Sequence, residues 1–144
     1  MPRNVIGNAV RSVVHLLVCS ALATPLGAFS AQPPEKIGIV LAHTGADPIG
    51  ARLAFEVKGQ LRGGQSYRVD DRAGPRTRYR ISIDSLDVGC GGTGDRAAVM
   101  VTLVTPDQRY VASWMHIVGS HRVREVTEEV IARIDKAISG DFKR

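Results

Sequence analysis

The sequence predicts a two-layer α+β domain: a mixed sheet of about five strands with two helices on one face, in the order β-α-β-β-β-β-α. Three observations predict it. Two segments carry apolar residues at helical spacing, Ile49, Leu53, Val57 and Leu61, then Val123, Val126, Val130, Ile134 and Ile138. Tyr79, Ile81 and Ile83 alternate with Arg78, Arg80 and Ser82, the period of a half-buried strand. Short apolar runs bounded by turn residues supply the other strands.

Lys36 to Ala42 is the first predicted strand, apolar almost throughout and so expected to be covered on both faces or central in its sheet. The first helix runs from Asp47 to Arg62. Asp47 suits the cap, Pro48 the first helical position, and Gly63-Gly64 the stop. Ser66 to Asp70 is the second strand, and Gly74-Pro75 marks the loop after it. Arg78 to Asp84 is the third. Its phase slips near Ser85, where Leu86 and Val88 become the apolar positions, and a bulge or a strand end is expected there. Ala97 to Thr105 and Arg109 to Val118 are the fourth and fifth strands, joined by a turn at Pro106-Asp107. The second helix is expected over Ser120 to Ser139, with Ser120 as its cap and Gly140 at its exit.

Residues 1–30 have the make-up of a cleaved signal peptide. Arg3 and Arg11 precede an apolar run over Val13 to Ala23, which is too short to span a bilayer. Pro25 and Gly27 then break it, and Ala28-Phe29-Ser30 offers small residues at a cleavage site after Ser30. Residues 31–144 form a single α+β domain on this reading, in a periplasmic or secreted location. The full chain has a formal charge of +5; without Arg3 and Arg11, 17 basic and 14 acidic residues remain, a balance of +3. That is no nucleic-acid footprint. Cys90 is the one cysteine after the leader, so the domain has no internal disulfide to rely on.

The stretches "GARLAFEVKGQL", "SYRVDD" and "GSHRVREVTEEVIARIDKAI" resemble small, uncharacterised secreted proteins of Gram-negative bacteria. More distantly they are similar to the amino-terminal domain of TolB and to related envelope-lipoprotein domains. The resemblance implies an envelope adaptor and brings no catalytic residue with it.

Chemical motifs are weak. Gly89-Cys90-Gly91-Gly92-Thr93-Gly94 matches G-x-G-x-x-G, but a strand-like sequence follows where a dinucleotide fold needs a helix. No cofactor is expected. His43, His116 and His121 with Cys90 lack the close pairs that metal sites use, so no metal is expected either. Cys90 is a candidate reactive thiol, and a small ligand binder or enzyme using its turn is the alternative reading. The favoured reading is a non-catalytic module that binds a protein partner or itself. Its candidate binding residues are Arg68, Arg78 and Arg80, joined by Tyr110, Trp114 and His116 if the fifth strand keeps the same phase on the sheet face away from the helices. An anionic envelope surface is a second expected contact for the arginines.

Overall fold

The computed structural model describes residues 35–89 and 94–141. Five strands form one sheet: β1 (Ile37–Thr44), β2 (Tyr67–Asp70), β3 (Thr77–Asp87), β4 (Arg96–Val104) and β5 (Tyr110–Gly119). Two α-helices, α1 (Pro48–Gly63) and α2 (Val123–Asp141), pack on one face, and a short 3-10 turn at Ser120–Arg122 leads into α2. The sheet order is β2-β1-β3-β4-β5. β1 is parallel to both β2 and β3, while β3, β4 and β5 form an antiparallel meander. This is the α+β two-layer domain that the sequence pattern predicts.

Local chemistry sets each helix. Asp47 stays extended, and its Oδ1 accepts the Gly50 amide at 2.6 Å, which satisfies a free donor of the first turn of α1. Gly64 closes the helix by donating its amide to Gln60 O. Ile49, Leu53, Val57 and Leu61 are all buried, as are Val123, Val126, Val130, Ile134 and Ile138 of α2. They meet Ile39, Ile81, Ile83, Val99, Val101 and Leu103 from the sheet. Each such side chain contributes about 1.5–3 kcal/mol by leaving water.

Two tyrosines of the sheet hold α2 by its polar side. Tyr67 donates its phenolic hydrogen to Asp135, and Tyr79 donates to Asp141. Burial, reinforced by these bonds, pushes the Tyr67 phenol well above its ordinary value and Tyr79 up to about 12.

Several sequence expectations are corrected here. β3 neither bulges nor ends at Ser85: its register with β4 continues unbroken to Asp87–Ala97. Leu86 therefore stays on the outer face of the sheet. Ser120 does not cap α2, which begins at Val123 after the 3-10 turn, and Gly140 lies inside the helix. The largest correction concerns β5. Tyr110 pairs with Val104, but Ala112 pairs with Leu103, so Val111 is an extra residue in a bulge. From there on the strand's phase is inverted. Trp114 and His116 consequently share the helix face with Val101 and Val99, while Ser113, Met115 and Ile117 face outward.

Gly38 explains how the chain passes from β2 to β3, which flank β1 on opposite sides. The connecting loop crosses the outer face of β1 there, and a Cβ at Gly38 would lie 2.1 Å from the carbonyl oxygen of Arg76. Only glycine leaves room for that backbone.

Candidate functional site

The outer face of the sheet is built of cross-strand rows. Arg80, Val104 and Tyr110 form one row, and Ser82, Thr102 and Ser113 the next. Asp84, Met100 and Met115 follow, then Leu86, Ala98 and Ile117. Neighbours in a row lie about 4.5–5.5 Å apart at Cβ, so side chains in adjacent positions touch. The face therefore grades from a basic, aromatic end to an apolar one.

The apolar end is a continuous exposed patch. Leu86 is 69% exposed, Met100 46%, Met115 70% and Ile117 56%. A shallow hollow of about 190 Å³ lies between Leu86, Ala98, Met100 and Met115. No helix covers this side of the sheet among the described residues. Scattered apolar residues on a surface need no explanation, but four adjoining ones in two rows make this end a candidate contact area.

The six predicted binding residues are not all brought together. Arg78, Arg80 and Tyr110 lie on the outer face and are exposed. Arg68 also faces outward, but its guanidinium is held by Asp70 at 3.0 Å beneath the β2–β3 loop. Trp114 and His116 are removed from the group by the Val111 bulge. Trp114 is half-buried and lines a groove of about 520 Å³ with Arg133, Lys136 and Ala137 of α2. His116 lies below the same helix, its Nδ1 3.8 Å from Glu129 and its Nε2 buried without a hydrogen-bond partner among the described residues. Burial lowers its pKa, against the opposing pull of Glu129.

Sequence reasoning missed Leu86, Met100, Met115 and Ile117. A signal was present: Ala97 to Val104 is apolar at seven of eight positions, so β4 has apolar side chains on both faces. Only one of those faces is covered by a helix.

Catalytic alternatives gain little. Cys90 and the glycines beside it at positions 91–93 lie outside the described residues. Asp87 holds the rims of that turn by accepting the amides of Gly89 and Gly94. His43 Nε2 lies 2.9 Å from Ser85 Oγ at the end of β1, but none of the described grooves opens onto both. No group of three metal-ligating side chains converges among the described residues. Among them, too, no helix is long and apolar enough to cross a membrane.

The edges of the sheet complete the site. β2 is one edge, four residues long and carrying Arg68 and Asp70. β5 is the other, ten residues long, with no Asp, Glu, Lys, Arg or Pro in it. Ser120 donates its amide to Asp95 O. By the alternation of antiparallel pairs, Val118, His116, Trp114 and Ala112 exchange bonds with β4. The amides and carbonyls of Ser113, Met115 and Ile117 point away from the sheet.

No family model matches the chain, and no curated protein matches it. Among solved structures it is similar to a PelC dodecamer from Paraburkholderia phytofirmans, at 19% identity over 71% of this chain and 84% of that one, with a TM-score of 0.41. The functional reading rests on this chain's own residues.

Proposed function

We propose that this protein is an exported, non-catalytic envelope protein that acts by binding protein through the outer face of its sheet. The leader-like residues 1–30 support export. The observation that carries the binding assignment is the exposed patch of Leu86, Met100, Met115 and Ile117 on the layer the helices leave open. Tyr110 and the arginines at the far end of the face supply a polar rim. Arg78 and Arg80 have no ion-pair partner among the described residues, so both are available to a carboxylate or an anionic surface group.

The test is photo-crosslinking in the producing cell. A photoreactive side chain placed at Met100 should give a discrete protein adduct, lost in the Met115→Glu, Ile117→Glu double variant. The same side chain at Arg124, on the exposed surface of α2, should give none. An adduct pattern identical at both positions, or one unaffected by the double variant, contradicts the assignment.

A further inference from the structure

We propose that the partner is a second copy of this chain, joined by antiparallel pairing of β5 with β5 across a two-fold axis into one continuous sheet. This rests on the outer-face reading and names the partner that Met115 and Ile117 of that face would meet at the β5 edge.

The argument starts from the asymmetry between the two edges. Soluble sheets protect their edges by shortness, charge, proline or bulging, because unsatisfied backbone groups template pairing with another strand. β2 is short and charged. β5 has a bulge only near its start, and from Ala112 to Gly119 none of the protective residues occurs. An edge left in this state is a pairing site.

The sequence of β5 suits its own antiparallel copy. An axis through Met115 pairs Met115 with its symmetry mate and Ser113 with Ile117 of the partner subunit. That register uses the outward amides of Ser113, Met115 and Ile117 in each copy. On the outer face it brings the exposed Met115 and Ile117 of both copies together, merging two apolar patches across the axis. On the helix face it sets Trp114 opposite His116 of the partner subunit. Glu129 lies beside His116, and Arg133 lines the groove at Trp114. Within each copy Arg133 already pairs with Glu129 at 2.7 Å, so the match across the axis rests on the backbone register and the merged apolar patches. A partner strand of unrelated sequence would need to supply this match independently, whereas two-fold symmetry provides it.

The experiment is sedimentation velocity of the exported protein over a range of concentrations, with three variants. The wild type should sediment as a dimer. Ser113→Pro deletes an outward amide that β4 does not use, so it should fold and remain a monomer, with dimerisation weakened on the order of 100-fold or more. Ser113→Thr keeps the amide and should remain a dimer. A Ser113→Pro protein with an unchanged circular dichroism spectrum that still dimerises overturns edge pairing. If Met115→Glu, Ile117→Glu then dissociates that dimer, binding through the outer face survives. A wild type that is monomeric at every concentration overturns the second copy as partner, while a Met100 adduct of another mass retains the outer-face reading.

Discussion

Tyr110 and Trp114, four residues apart on one strand, face opposite layers of this protein. An even spacing on a regular strand puts two side chains on the same side. The extra residue Val111 inverts the phase between them. Tyr110 therefore stands in water on the outer face, and Trp114 lies against α2.

That division predicts unequal costs of truncation. Trp114→Ala should destabilise the domain by about 2–3 kcal/mol, because it empties the contact between β5 and α2. Tyr110→Ala should change stability by less than about 0.5 kcal/mol, as exposed substitutions generally do. Urea unfolding of the two variants checks both. Equal costs would mean that the two aromatics share an environment.

Gly38 and Gly59 form a contrasting pair. Gly38→Ala places a methyl group 2.1 Å from the Arg76 carbonyl and should cost about 1–3 kcal/mol as the loop is displaced. A Cβ at Gly59 meets nothing within 4 Å, and the residue lies inside α1. Gly59→Ala should therefore stabilise the domain by about 0.5–1 kcal/mol through helix propensity. Thermal unfolding of both variants checks the signs.

The two buried tyrosines predict an alkaline limit. Their folded pKa values are raised above the ordinary 10.0, Tyr79 to about 12. The folded protein thus holds protons that the unfolded chain releases, and the stabilisation is complete below pH 10 and lost as pH rises toward 12. Tyr79→Phe should be less stable than wild type by about 1–2 kcal/mol at neutral pH, since Asp141 loses a donor. It should also lose less stability across that alkaline range. Denaturant unfolding at several pH values makes the comparison.

His116 predicts an acid response. Its folded pKa is depressed below 6.5, first by burial, so the unfolded chain binds the proton more readily. The stability it leaves intact above pH 6.5 should fall as pH drops through that value toward the folded pKa. His116→Gln should flatten this part of the stability profile. A wild-type profile with the same slope as the variant would show that the imidazole titrates as it does in water.

The sequence made the helices legible because their stripes and caps are local features. Asp47, Pro48 and the Leu53–Val57–Leu61 spacing need no tertiary contact to be recognised. Strand existence was equally readable, and so was the arginine face of β3, where Tyr79, Ile81 and Ile83 alternate cleanly. Strand phase was not readable where both faces are apolar. In β5 the alternation of Ser113, Trp114, Met115 and His116 favours neither face, and the Val111 bulge is set by pairing with β4. Leu86 misled for a related reason. An apolar residue at an outward position looks like a phase change until the β3–β4 register shows that the strand continues. The candidate face was thus half legible: the outward positions of Arg78, Arg80 and Tyr110 were readable, while the apolar patch was hidden in strands that read as pure core.

The most direct measurement is residue-resolved amide hydrogen exchange at low and high protein concentration. Trp114 and His116 donate toward β4 and should be protected at both concentrations, serving as internal references. Ser113, Met115 and Ile117 should exchange rapidly in dilute protein and become protected when the protein is concentrated, as their amides enter the paired edge. Rapid exchange of those three amides at every concentration would contradict the account.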